Sequence, residues 1–304
     1  MTTPDVAPAG PATAGDRTST TVKSRTATQL VVRRFFAHKL AVGSLVVFLL
    51  LVIGAIVIPY FWHYSYKDLN APLSKGPSGK NPFGTDSDGH DLFAQVLQGM
   101  RTSLKVAFVG VVIGEAAGII LGGIAGFYRG WIDSVLMRLV DIILTFPAIV
   151  LAAVLAKATG GSWLTVAVIL GGLGAGPTAR LIRSVVLSLR EREYIEAARA
   201  LGATDVRIMV RHLLPNALGP LIVDVTLNIA IIMLSEAALS FLGFGIQPPD
   251  ISLGGLVSDG VNASSTRPWL FYIPGLVLVG LVLTVNFIGD GLRDAFDPTQ
   301  RRVR

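Results

Sequence analysis

The sequence predicts an all-α, polytopic membrane protein with six transmembrane helices. Three observations carry this. Apolar types supply 52% of the 304 residues and charged types only 15%, whereas a soluble domain carries about a quarter charged residues. Six apolar stretches recur along the chain, near the roughly 20 residues that cross a ~30 Å hydrocarbon core. Lysine and arginine crowd into every second connecting segment, as cytoplasmic loops do.

The stretch from Met1 to about Gln29 is rich in Thr, Ala, Pro and Gly and nearly lacks large apolar side chains. Such a segment cannot bury enough surface to offset its ordering entropy. Residues 1–38 are therefore expected to be a disordered cytoplasmic tail. A cleavable signal would have an apolar core of roughly 7–15 residues near the start; here the first apolar run goes from about Leu40 to Phe61. It predicts a first transmembrane helix over 39–62, followed by an extracytoplasmic loop over 63–103. Five further spans are expected in a core over 104–292: Val106–Phe127, Ser134–Leu155, Trp163–Ala179, Leu218–Phe241 and Trp269–Ile288. Residues 293–304 would form a cytoplasmic C-terminal tail. The fourth span is short, and Gly171, Gly172, Gly174, Gly176 and Pro177 crowd its end; neighbouring helices must pack closely over such a segment.

Charge placement sets the orientation. With the N-terminus inside, the inner segments hold nineteen Lys and Arg residues, from Arg17 through Arg129 and Arg180 to Arg304. The outer segments and span edges hold seven: Lys67, Lys75, Lys80, Arg101, Lys105, Lys157 and Arg267. Six spans return the C-terminus to the inside. Trp62, Tyr64, Tyr66, Trp163, Trp269 and Tyr272 then fall at the outer interface, as an aromatic belt does. This distribution places basic residues between apolar spans, so it argues for membrane lipid and against a nucleic-acid surface.

Gly110, Gly114, Gly118, Gly122 and Gly126 repeat every four residues in the second span, on one slowly winding face. That face suits either a contact that slides during a conformational change or static close packing. Polar residues within or bordering spans are few: Glu115, Asp141, Asp224, Asn228, Glu236 and Asn286. Burial of such groups costs several kcal/mol, which makes each a functional candidate. Asp141 follows Arg138 at same-face spacing and is expected to pair with it. Glu236 lies near the outer end of its span, where water can solvate it. Asp224 and Asn228 sit one turn apart, and either line a wet cavity or pair with another helix.

The segment from Arg180 to Pro215 is the one long inner loop. Glu193–Leu201 consists of strong helix formers, with acidic residues at its start. Gly202 follows at a position suited to positive φ. Thr204 is an N-cap for a second short helix to about His212, and Pro215 starts a turn into the fifth span. Two short helices with a glycine elbow make a compact knob. Ala197, Ala198 and Ala200 keep it slim enough for a groove, and Glu196 is placed to hold the elbow or cap a partner contact. On physical grounds it is a docking element.

Glu196-Ala197-Ala198, Gly202 and Leu214-Pro215 resemble the EAA loop of permease subunits in ATP-binding-cassette importers. The resemblance extends over nearly the whole chain after the tail. Phe83-Gly84-Thr85-Asp86 with Gly89-His90-Asp91 is similar to the GTD…GRD stretch of peptide-type permeases, with His90 where Arg is usual. Leu239–Pro249 resembles their LSFLG–QPP segment, and Gly289–Ala295 with Asp297-Pro298 resembles their C-terminal ending. The resemblance implies a type I importer permease fold of the C-type oligopeptide or dipeptide subfamily. It implies that residues about 183–215 form the coupling loop that docks in a cleft of the ATPase subunit. The implied partners are a second homologous permease, one or two ATP-binding subunits and an extracytoplasmic peptide-binding protein. ATP and Mg would sit on the ATPase partners, and this chain would bind no cofactor. Nickel importers share the subfamily and are the alternative substrate reading.

The chain carries no Gly-x-x-x-x-Gly-Lys-Ser/Thr phosphate loop, no cysteine and only four widely spaced histidines. A membrane enzyme would need convergent reactive groups. A secondary transporter or channel would move solute alone, often from internal repeats with paired broken helices, and no second copy of the glycine-rich span or the knob is visible. No catalytic or metal residues are expected. Asp224 and Asn228 are the candidates for the translocation path.

Overall fold

The computed structural model of the protein describes residues 27–296. Within them the chain is almost wholly helical, with one isolated antiparallel bridge between Thr85 and Asp91. The helices are α1 (Ala27–Ala37), α2 (Lys39–Val57), α3 (Leu92–Tyr128), α4 (Gly130–Thr145), α5 (Ala148–Thr159), α6 (Trp163–Arg190), α7 (Glu193–Ala200), α8 (Asp205–Ile208), α9 (Leu214–Phe241), α10 (Leu253–Gly260) and α11 (Trp269–Phe296). Five helical stretches are long and apolar enough to cross a bilayer: α2, α3, α6, α11 and the stretch from α8 through α9.

The expected third span is instead the pair α4–α5, bent by 85°. Phe146 precedes Pro147, whose ring drives the preceding residue out of the helical region. Phe146 duly sits at φ −83° and ψ 140°.

Helix direction decides whether this pair crosses once. A Cβ on Gly114 would meet the Gly171 carbonyl, one on Gly118 would meet Ala175 and Thr178, and one on Gly126 would meet Arg183 and Val186. The numbers rise together, so α3 and α6 are parallel. Two parallel spans need a return passage between them, and α4–α5 is that passage. The count is therefore six. α9 runs antiparallel to α3, since Asn228 meets Glu115 and Glu236 meets Ser103. α11 opposes α9, with Gly289 beside Thr226 and Phe296 beside Gly219. α2 opposes α11, with Ala41 against Gly291. Both described ends consequently share one face, where His38 and Asp294 approach to 3.6 Å.

Several boundaries differ from expectation. α3 starts at Leu92, so the outer loop ends well before residue 103. Asp91 caps α3 by accepting from the Ala94 N–H at 3.0 Å, and polar residues such as Gln95 and Gln98 ride on its first turns. α6 runs past Ala179 to Arg190 because the glycines that weaken it alone let it lie directly on α3. Residues 27–37 form α1 rather than part of a disordered tail; Phe35 anchors it against Ala41 and Ala295. α11 continues to Phe296, into the expected tail. Residues 1–26 and 297–304, with Asp297 and Pro298, lie outside the described residues.

Candidate functional site

The knob is assembled from backbone chemistry. Gly202 adopts φ +79°. The Ala203 N–H donates to the Ala198 carbonyl at 3.0 Å, and the Gly202 N–H donates to the Arg199 carbonyl at 2.9 Å. This pair of bonds is the Schellman closure of α7. The Thr204 hydroxyl accepts from the Arg207 N–H at the start of α8. Beyond Ile208 the expected turn at Pro215 is absent. The chain passes through a π turn, Met209–Leu213, directly into α9. Leu214 is the first residue of α9 and Pro215 lies in its first turn. Proline lacks an N–H and displaces the regular ladder. The wider turn absorbs the misfit, and the Asn216 amide donates to the His212 carbonyl at 2.6 Å.

Ile195 and Ile208 are fully buried, in a cluster with Phe127, Ile182, Val186 and Leu213. The knob therefore grips the end of α3 as well as α6 and α9. Arg190 donates to the Phe127 carbonyl. The guanidinium groups of Arg190 and Arg199 lie 5.9 and 5.5 Å from the Phe127 ring centre. Arg129 pairs with Glu191 at 2.9 Å.

The tip differs from the sequence reading in two ways. Glu196 is exposed, and its carboxylate forms no hydrogen bond or ion pair among the described residues, so it does not hold the elbow; the Schellman bonds do. Ala197 is exposed, while Ala198 is half-buried against the Phe127 cluster. What the sequence reading missed is an apolar surface: Leu201 is 88% exposed, Val206 63% and Val210 60%. The available signal was Leu201 itself, a large apolar residue beside a glycine elbow.

The second candidate region lies midway along the bundle. The Thr178 hydroxyl donates to Asp224 Oδ2 at 2.8 Å. The Asn228 amide donates to Glu115 Oε1 at 2.8 Å and reaches Thr178 Oγ1 at 3.4 Å. Asp224 and Asn228 therefore do pair with other helices. Asn228 also lines a cavity of about 230 Å³ with Glu115, Thr178 and Pro177, beside Leu144 and Ala148 at the α4–α5 break. The sequence reading did not join Glu115 or Thr178 to this pair, because the four residues come from α3, α6 and α9.

Two other expectations are corrected. Glu236 is fully buried, not solvated. It accepts from the hydroxyls of Ser252 (2.7 Å), Ser240 (2.9 Å) and Ser103 (3.2 Å), tying α3, α9 and α10 together. Asp141 pairs with Arg180 of α6 rather than with Arg138; Arg183 makes a two-pronged contact with Asp133 at 2.5 and 2.6 Å. These pairs bind the bent passage to α6.

The motif around residues 83–91 forms a clasp beside the start of α3. Asp91 is completely buried and accepts from Trp62 Nε1 and Asn81 Nδ2, each at 2.9 Å. Trp269 Nε1 donates to the Thr85 carbonyl at 3.2 Å. Trp62 and Trp269 thus hold this clasp rather than serving a lipid belt alone. His90 bonds Asp86 at 2.8 Å, which gives this position a place in the clasp.

The family described as "Binding-protein-dependent transport system inner membrane component" matches residues 118–302. The chain belongs to this family. The "N-terminal TM domain of oligopeptide transport permease C" matches residues 26–77. The "Oligopeptide transport system permease protein OppC" of Mycobacterium tuberculosis (strain ATCC 25618 / H37Rv) is 42% identical over 278 residues, covering 90% of this chain and 96% of the relative. The "Dipeptide transport system permease protein DppC" of Alkalihalophilus pseudofirmus is 40% identical over 265 residues, 87% of each chain. A solved structure titled as inward-facing conformations of the MetNI methionine ABC transporter aligns at a TM-score of 0.58 and 22% identity. It covers 68% of this chain and 98% of that one. That likeness shows the fold, the type I importer permease. The chain is thus a membrane permease subunit of an ATP-binding-cassette transporter and not an enzyme. Such a subunit works with an ATPase and further subunits.

Proposed function

We propose that this permease imports oligopeptides or dipeptides into the cytoplasm, driven by partner ATPase subunits that bind ATP and Mg. The peptide substrate rests on the relatives named for peptide transport. The observation that carries the mechanism is the knob, rigidly seated through Ile195 and Ile208 yet presenting Leu201 almost bare. An apolar side chain so exposed on a helical elbow fits a pocket in a partner surface. The seat spans α3, α6 and α9, so displacement of the knob moves three spans together. ATP-driven closure of the ATPases then selects between inward- and outward-facing arrangements. A second homologous permease would complete the passage, and an extracytoplasmic binding protein would deliver the peptide. The test is uptake of radiolabelled trialanine by the reconstituted complex. ATP-dependent uptake is expected; uptake of other solutes of this subfamily, such as nickel, without any peptide uptake overturns the reading.

The lysine and arginine asymmetry places both termini and the knob in the cytoplasm. Cysteines introduced at the exposed Ser78 and the half-exposed Ser264 should react with an impermeant thiol reagent in sealed cells. A cysteine at the exposed Thr204 should react only after permeabilisation. Labelling of Thr204 in sealed cells reverses the orientation.

A further inference from the structure

Two cavities of opposite character meet where α2 ends against α3, at the end of the bundle away from the knob. One, of about 460 Å³, is an apolar groove lined by Val52, Ile56, Leu104, Phe108 and Val109. The other, of about 440 Å³, is lined by the aromatic run that follows α2, Trp62, His63, Tyr64 and Tyr66, together with Asp68 and Gln98. Tyr60 and Arg101 line both. The span that contains α2 closes at Tyr60, so the groove lies at the depth of the hydrocarbon and the aromatic pocket lies beyond it.

The junction carries surplus positive charge. Arg101 donates from Nε to the Ala55 carbonyl and from Nη2 to the Ile56 carbonyl, each at 2.5 Å, which holds its guanidinium at the end of α2. The donors on Nη1 have no hydrogen-bond partner among the described residues. Lys105 also lines the groove, one turn further along the same face of α3. It is exposed, with its ammonium 6.0 Å from the centre of the Trp163 ring. Neither cation has an ion-pair partner among the described residues. Phe108 (66% exposed) and Val112 (52%) continue the face, so in this subunit Lys105 projects from an apolar, open helix surface. A cation there keeps its charge solvated only by reaching the phosphate level of the bilayer. Asp68 is the one carboxylate among the described residues lining either cavity, and it accepts from the Ser65 N–H at 2.7 Å.

We propose that this junction binds an anionic phospholipid with a hydroxylated headgroup, of the phosphatidylglycerol type. An acyl chain fills the apolar groove, the phosphate meets Arg101 and Lys105, and the headgroup enters the aromatic pocket, where its hydroxyls can donate to Asp68. An amphiphile is the ligand class whose two halves match two abutting cavities of opposite polarity. Two cations at the seam favour a lipid with net negative charge, whereas a zwitterionic lipid brings a cancelling ammonium.

Phe108→p-benzoylphenylalanine places a photo-crosslinker in the groove wall at an exposed position. The intact complex is reconstituted in nanodiscs of equal parts phosphatidylglycerol, phosphatidylethanolamine and phosphatidylcholine. After irradiation, the lipid attached to this chain is identified by mass spectrometry. Phosphatidylglycerol should exceed each of the other two roughly 20-fold, at about fivefold for each cation. Lys105→Gln in the same background should lower the excess about fivefold, and Lys105→Arg should keep it. Lys105 makes no hydrogen bond within the described residues, so neither change should disturb folding. The same crosslinker at Val279, 51% exposed on α11, should capture the three lipids in near-equal amounts. Near-equal capture at Phe108, capture dominated by phosphatidylethanolamine, the same excess at Val279, an excess unchanged in Lys105→Gln, or attachment to a protein subunit in place of lipid overturns the assignment.

Discussion

Leu201→Asp should abolish co-purification of the ATPase subunits and reduce transport at least tenfold while leaving the permease inserted in the membrane. Leu201 is 88% exposed, so its replacement removes no internal packing. Fully burying a leucine side chain contributes about 2 kcal/mol, a factor of roughly 30 in affinity. A charge buried in the partner's pocket adds a desolvation penalty. Ala197→Trp should act alike through bulk, since Ala197 is exposed. It is a sharper probe than Ala198→Trp, which would disturb the Phe127 cluster from within. Gly202→Val tests the elbow instead. No atom would crowd a Cβ at Gly202, so its effect must come from the left-handed backbone, which costs an L-residue about 1–2 kcal/mol. The measurements are ATPase co-purification and substrate-stimulated ATP hydrolysis. Full binding and transport in Leu201→Asp and Ala197→Trp together would show that the tip does not dock the ATPase.

Gly122→Val should prevent accumulation of folded permease, and Gly123→Val should not. A Cβ at Gly122 would overlap the Ala179 carbonyl of α6, whereas nothing lies within 4 Å of one at Gly123. The obstructing atom is backbone in a parallel helix tied along its length, and it cannot rotate away. Overpacking in a core costs about 1–3 kcal/mol even where side chains can adjust; here the cost should exceed about 3 kcal/mol. The neighbouring substitution exchanges glycine for a better helix former at a change within about 1 kcal/mol. Detergent-solubilised thermal stability and monodispersity distinguish the two. Equal behaviour of both variants would mean that the α3–α6 seam is not held at this register. The same seam bears on the glycine face read from sequence: Gly110, Gly114, Gly118, Gly122 and Gly126 all lie where a Cβ would meet α6.

The knob was legible because its signals are local. Helix formers over Glu193–Ala200, a glycine at the closure and Thr204 at the next start each act within a few residues of sequence. The glycine stripe was legible for the same reason, although its partner was not. Asp141 was misassigned because Arg138 is the nearest cation in sequence, while Arg180 becomes the nearest in space. Glu236 was read as solvated from its place near a helix end. Its burial is satisfied by Ser240, by Ser103 of α3 and by Ser252 at the start of α10, the last two distant in sequence.

The sequence alone determined the apolar stretches, the charge asymmetry, the family motifs and the elbow. Apolar length, basic bias and turn chemistry are properties of contiguous residues. Only the tertiary structure decided that α3 and α6 run parallel, that the α4–α5 pair crosses once despite its bend, and that Glu115, Thr178, Asp224 and Asn228 meet. A lipid-facing position and a helix-facing position are both apolar, so composition cannot say which side of a span is buried. Where small residues let two backbones touch, packing fixes the register, and the register determines which polar groups from distant segments share one cavity.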